Sequence, residues 1–161
     1  KGGIGSASRQ MTLGDENFTL GVLVQSNYGA SADFQWAQLP QGLAECDRGS
    51  IIMVVATDLP LSHRQLRRVI KRASVGMAGS YVGHGSGEIM VGFTTAPRAV
   101  SGAFETMRVL REEEINLPFR AVGECCEEAI LKSMLCAHAG KTLDGEAVPA
   151  LSDLLAERKQ P

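Results

Sequence analysis

No stretch of this chain approaches the roughly 18 consecutive apolar residues that a membrane-crossing helix needs. Charge of one sign is not in excess either. Sixteen Lys and Arg stand against 18 Asp and Glu, for a net charge of −2. That balance gives no global attraction to nucleic acid or anionic lipid, so neither is expected as a partner. Aromatics make up only 5% of the chain. The one basic cluster, Arg64, Arg67, Arg68, Lys71 and Arg72, has none interleaved. It therefore reads as a solvated helix face and not as a nucleic-acid footprint. The four cysteines, Cys46, Cys125, Cys126 and Cys136, include no C-x-x-C pair. A zinc site is not expected, and reduced thiols in a cytoplasmic protein are. An initiator Met and a secretory leader pattern are also absent. The first residues, Lys1-Gly2-Gly3-Ile4-Gly5, read like the inside of a domain. An N-terminal portion is therefore expected to precede them.

What is present is a globular composition. Of 161 residues, 44% are apolar and 21% charged, enough for one packed core. No internal repeat stands out. Residues 1–10, rich in Gly and Ser, read as a loop or irregular strand. Phe18 to Val24 is apolar and β-prone and reads as a buried strand. Residues 29–48 carry Gly29, Pro40 and Gly42 with little periodicity, and read as a long exposed loop of the kind that is often functional. Ser50 to Ala56 is the strongest strand signal, a continuous apolar run suited to burial on both faces. Ser62 and Gln65 fit a capping box. Behind them Leu66, Val69, Ile70, Ala73 and Met77 share one helical face. Ile89 to Thr95 reads as another strand, and residues 101–116 as a hinge and charged connection. Pro118 suits the first turn of a second helix, which runs toward a C-cap at Gly140. A short amphipathic stretch follows at Leu151–Leu155. Strands and amphipathic helices together imply layers of sheet and helix.

Three places could carry chemistry. Ser50 stands between Gly49 and an apolar run, after the long loop. By local pattern alone it is an ordinary serine before a strand, and serine is a weak nucleophile without a base beside it. If the Gly49–Ser50 bond were cut, however, Ser50 would gain a free α-amine with an unperturbed pKa of about 7.7–8.0. Such an amine takes the hydroxyl proton near neutral pH, and no histidine is needed. Gly49 would suit the uncut chain by tolerating backbone shapes that other residues cannot.

The second place is Gly83-His84-Gly85-Ser86-Gly87-Glu88. In an extended strand Ser86 and Glu88 point to one side and could support a nucleophile. A tight turn with a surface Glu is the plainer alternative. With His84 in the string, it is not the G-x-S-x-G elbow of the classical serine hydrolases. The third is Asn27, whose amide N–H could donate to a developing oxyanion, though Asn in a turn is common. The opening glycines lack the order of a phosphate-binding loop.

Taken together, four strings are specific: Lys1-Gly2-Gly3-Ile4-Gly5-Ser6-Ala7-Ser8-Arg9, Ser26-Asn27-Tyr28-Gly29, Arg48-Gly49-Ser50 through Leu61, and Gly83 through Glu88. In that order they resemble the DmpA-type peptidases, which include L-aminopeptidase D-amidase/esterases and β-peptidyl aminopeptidases. The Glu127–Leu131 helix and the Asp144-Gly145 turn also fit, so the resemblance runs through essentially the whole chain. It implies an α+β fold, part of a four-layer α-β-β-α sandwich of the DmpA and ornithine-acetyltransferase type.

It also implies a self-processing N-terminal-nucleophile serine aminopeptidase that acts on small peptides, amides or esters. Residues 1–49 match the end of the α piece, with a processing loop at about 29–49. Residues 50–161 match the β piece, and together they make one partial domain. Ser50 matches the nucleophile, Ser86 and Glu88 the residues that support it, and Asn27 the oxyanion donor. The resemblance implies no metal or organic cofactor, a homotetramer, and association with a preceding α segment of the same precursor.

Two alternatives stay open on sequence grounds. An ornithine-acetyltransferase-like enzyme would use Thr and pass the acyl group to an amino acid; Ser50 and the Ala56-Thr57-Asp58-Leu59-Pro60-Leu61 string favour the hydrolase. A non-catalytic truncated remnant is the other.

Overall fold

The structure, a computed structural model, describes residues 1–29, 33–35, 49–80 and 84–157. Most of the long loop expected at 29–48 lies outside the described residues. Strands β1 (Ile4–Leu13) and β2 (Glu16–Asn27) form a hairpin. Its two-residue connection has Gly14 at φ 62° in the first position, where only glycine adopts that conformation without strain. Strand β3 (Gly49–Thr57) pairs antiparallel with β2. Strand β4 (Ser86–Thr94) then pairs parallel with β3, giving a sheet of order β1-β2-β3-β4.

A parallel neighbour requires a crossover. Helix α1 (His63–Arg72) and a 3₁₀ segment, Ala73–Met77, supply it. The expected capping box starts α1: Ser62 Oγ accepts from Gln65 N–H at 3.3 Å, and Gln65 Oε1 accepts from Ser62 N–H at 3.0 Å.

Of the two readings of residues 1–10, loop or irregular strand, the strand holds, because most of them belong to β1. The glycines there serve close packing. A Cβ on Gly5 would collide with the Ala129 carbonyl oxygen of helix α2 (Asn116–Leu135), which crosses the strand at that point. The Ser50–Ala56 run is not buried on both faces. Ile51, Met53 and Val55 are wholly buried, while Ile52 on the opposite face is 38% exposed. Strand alternation explains the split, since helices cover only one face.

The core lies on that covered side. Leu20, Val22 and Val24 of β2 join the inward residues of β3, with Val69 of α1 and Val122, Cys125, Cys126, Ala129 and Ile130 of α2. Each fully buried large apolar side chain contributes about 1.5–3 kcal/mol. Adjacent Cys125 and Cys126 leave α2 on different sides, as expected. Cys125 points to the Leu20 carbonyl and Cys126 to Met53 Sδ. Both are buried, because α2 is wedged between the β1–β2 hairpin and the 3₁₀ segment. Burial pushes the two thiols up, to about 11 for Cys125 and about 12 for Cys126.

Three further expectations need correction. Helix α2 ends at Leu135 with Cys136 as its cap, and Gly140 instead begins the short strand β7 (Gly140–Lys141), paired with β8 (Ala147–Val148). Residues 101–116 hold half of a hairpin, β5 (Arg98–Ser101) with β6 (Phe104–Met107), and then a 3₁₀ turn at Glu112–Glu114. Gly102 at φ 59° makes that hairpin's turn. The basic face of α1 is only partly solvated: Glu112 pairs with Arg64 and Arg68, and Arg72 lies over the Phe119 ring at 3.5 Å. Helix α3 (Leu151–Glu157) closes the described chain where the short amphipathic stretch was expected.

The described residues thus supply one helical layer on one sheet layer. The other sheet face carries Leu23, Ile52, Val91, Ile89 and Phe93, with Phe93 51% exposed. An exposed apolar patch of this kind marks an interaction surface. No helix among the described residues is long and apolar enough to cross a membrane.

Candidate active site

Topology brings three strand ends to one edge of the sheet. β2 runs antiparallel to β3, so its last residues lie beside the first of β3. β4 runs parallel to β3, so its first residues lie there too. In register, Asn27 faces Ser50 and Ser50 faces Gly87 across the three strands. Alternation settles the sides. Ser26 and Ile51 are buried on the helix side, so their neighbours Asn27 and Ser50 stand on the open face, and both are exposed. Adjacent strands lie about 4.8 Å apart, which is within the reach of an Asn side chain. The structure thus brings Asn27 and Ser50 together.

The Gly49–Ser50 bond forms the first step of β3. Ser50 Oγ donates a hydrogen bond of 2.7 Å to the Gly49 carbonyl oxygen. The hydroxyl is therefore beside the carbonyl group that precedes it. Gly49 is dictated by packing: a Cβ there would collide with the Asn27 carbonyl oxygen. That is a more specific reason than general backbone tolerance. Gly87 matters too, although the sequence reading passes over it. A Cβ at Gly87 would sit 3.7 Å from Ser50 Oγ, in ordinary van der Waals contact, which places residue 87 directly beside the hydroxyl. The only signal was one glycine among several in that stretch.

Ser86 and Glu88 fall elsewhere in the register. Ser86 lies opposite Gly49, and Glu88 opposite the buried Ile51. Glu88 shares its side of β4 with Met90 and Gly92, where a Cβ on Gly92 would run into the Ile70 side chain of α1. The open side of β4 carries Ile89, Val91 and Phe93 instead. Glu88 therefore leaves the strand on the side away from Ser50 Oγ, and in this arrangement the two do not meet. His84 lies in the exposed turn before β4. Among the described residues no group of three or more His, Cys, Asp or Glu stands close enough to hold a metal ion.

Comparison with known proteins agrees with this architecture. Residues 1–148 match peptidase family S58, and the chain belongs to that family. A β-peptidyl aminopeptidase, BapA, of Sphingosinicella microcystinivorans is 32% identical across 94% of this chain and 45% of its own length. Among solved structures, a protein from Pyrococcus horikoshii OT3 superposes with a TM-score of 0.83 at 42% identity, over 98% of this chain and 46% of that one. The L-aminopeptidase D-Ala-esterase/amidase of Ochrobactrum anthropi gives 0.83 at 32% identity, over 98% and 48%. It is described as a prototype of the serine aminopeptidases and a variant of the N-terminal-nucleophile hydrolase fold. The fold of this chain is that α+β type. The chain spans about half the length of the relatives it matches.

Proposed function

We propose that the whole protein is a self-processing serine aminopeptidase, releasing N-terminal residues from small peptides, amides or esters through an acyl-enzyme on Ser50. One observation carries this reading. The Ser50 hydroxyl lies 2.7 Å from the carbonyl oxygen of the bond to be cut, in register with the Asn27 amide. In processing, Ser50 Oγ adds to the Gly49 carbonyl carbon, the C–N bond breaks, and the acyl group passes from nitrogen to oxygen of the same residue. Water then hydrolyses the ester. Gly49 leaves as a carboxylate and Ser50 keeps a free α-amine.

That amine, with an unperturbed pKa of about 7.7–8.0, is the base for later turnovers. Oγ attacks the carbonyl of the substrate's N-terminal residue while the amine takes its proton. The oxyanion rests on the Asn27 side-chain N–H. The amine returns the proton to the leaving amine, and water releases the acyl group. On the family resemblance, Ser86 and Glu88 support the nucleophile; because Glu88 leaves β4 on the face away from Ser50 Oγ in the uncut chain, that role requires the start of β4 to rearrange after the cut. A preceding segment of the same precursor covers the apolar open face and completes the substrate pocket. On the family resemblance alone, the working form is a homotetramer, and the cysteine pattern argues for a cytoplasmic one.

The test is direct. In the whole protein, Ser50→Ala abolishes both the appearance of a fragment beginning at residue 50 and the release of p-nitroaniline from amino-acid p-nitroanilides. Asn27→Ala lowers both by about 10²–10³. Undiminished turnover by Ser50→Ala protein defeats the reading. Acyl transfer to glutamate in place of p-nitroanilide hydrolysis would move it to the acetyltransferase chemistry.

A further inference from the structure

We propose that Asn27 is held in place by two hydroxyl relays that flank it, Ser26–Ser133 and Tyr28–Ser80, which makes these four side chains positioning residues of the site. The proposal rests on the oxyanion role assigned to Asn27 above.

Strand alternation turns Ser26 inward while Asn27 faces the open side, and Tyr28, just past the strand, is half-buried. Ser26 is 5% exposed, and its Oγ lies 2.5 Å from Ser133 Oγ of α2. Ser133 Oγ donates in turn to the Ile130 carbonyl at 2.7 Å. A hydroxyl has one proton to give, so Ser26 must be the donor to Ser133. Tyr28 repeats the pattern on the other flank. Its hydroxyl lies 2.7 Å from Ser80 Oγ, which donates to the Met77 carbonyl at 3.0 Å. The Tyr28 proton therefore goes to Ser80. Burial pushes the Tyr28 phenol above its ordinary range, which keeps that proton in place. Each relay ends on a backbone carbonyl of the helical layer, one in α2 and one in the 3₁₀ segment.

The N-terminal glycines tighten the first relay. The Ser26 amide donates to the Gly3 carbonyl at 2.9 Å, and the Gly3 amide returns to Ser26 Oγ at 3.5 Å. A Cβ on Gly3 would stand 2.7 Å from the Ser133 carbonyl oxygen, so only glycine lets β1 approach this closely. The physical need for an anchor is plain. Asn27 is the last residue of β2 and pairs with the first residues of β3. A strand end has ladder support on one side only, and ends fray. An oxyanion donor that drifts by about 1 Å loses on the order of 10² in rate.

The experiment is a pair of double-mutant cycles in the full-length protein, reading kcat and KM on an amino-acid p-nitroanilide. Ser133→Ala and Tyr28→Phe are each made alone and on Asn27→Ala. Alone, each should lower kcat by roughly 10- to 10²-fold with KM held within about twofold. On Asn27→Ala, each should cost less than about twofold, because the group it positions is gone. Ser80→Ala, at a partly exposed site, tests the second relay should Tyr28→Phe fold poorly, and it should behave in the same way. Full additivity, with equal losses whether or not Asn27 is present, overturns the proposal while leaving the oxyanion reading intact. If Asn27→Ala itself turns over like the parent protein, the oxyanion reading falls and the relays fall with it.

Discussion

Gly49→Ala puts a methyl group where the Asn27 carbonyl oxygen stands. The new Cβ would also lie 2.9 Å from the Asn27 carbonyl carbon and 3.3 Å from Tyr28 Cα. All three are backbone atoms and cannot rotate aside, so the start of β3 must move away from the end of β2. The strain falls at the end of a ladder, so its stability cost should lie toward the low end of the roughly 1–3 kcal/mol that overpacking brings. The kinetic cost is larger. A shift of about 1 Å between Asn27 and the Ser50–Gly49 carbonyl pair slows processing on the order of 10²-fold. On the proposed mechanism the cut makes residue 49 a chain end free to move off, so turnover per cut molecule should stay close to that of the parent protein.

Intact-mass analysis against time measures processing, and p-nitroanilide turnover normalised to the cut fraction measures the rest. Gly123→Ala is the control. Its Cβ meets only Val75 side-chain atoms at 3.8 Å, within α2. It should stabilise the fold by about 0.8–1 kcal/mol through helix propensity and leave processing unchanged. Gly49→Ala protein that matures at the parent rate would refute the packing argument.

Two further outcomes are expected. The folded Cys125 and Cys126 thiols hold their protons more tightly than an unfolded thiol near 9.0. Their contribution to stability is therefore complete below about pH 8.5 and is lost as pH rises through about 11 to 12. The melting temperature should decline above pH 9, and Cys126→Ala should flatten that decline; a parallel decline in the variant would remove the assignment. Ser62→Ala deletes the acceptor of the α1 cap and should cost about 1 kcal/mol in denaturant melts. Its partner Gln65 should hold the helix start in part, since Gln65 Nε2 also donates to the Leu110 carbonyl at 2.7 Å. A loss below a few tenths would show that the box is dispensable.

Local patterns in the sequence were read correctly where local energetics decide. The cap at Ser62, the strand from Ser50 and the second helix near Pro118 all depend on neighbours a few residues away. The Gly- and Ser-rich opening left loop and irregular strand both open, because its composition favours loops, and it is a regular strand. There glycine serves an approach between β1 and α2 that no local window contains. Gly140 failed as a helix end for a related reason, since pairing with Val148 took it into a strand. In this chain helices cover only one face of β3, because an apolar run reports which residues avoid water, not which segment covers them; covering the second face falls to the preceding segment proposed above.

By itself, then, the order of residues determined the strings that tie this chain to its family, the strand that runs from Ser50, and the chemistry that would be open to Ser50 as a chain end. Only the tertiary structure decided that Asn27 stands beside Ser50, and that Glu88 leaves β4 on the other side. Antiparallel pairing carries residue 27 back to residue 50, and parallel pairing sets residue 87, not 86 or 88, level with it. Register is fixed by which face of the sheet is buried against the helices, and a shift of one residue exchanges the two faces. That choice depends on packing between segments a hundred residues apart, and no local pattern encodes it.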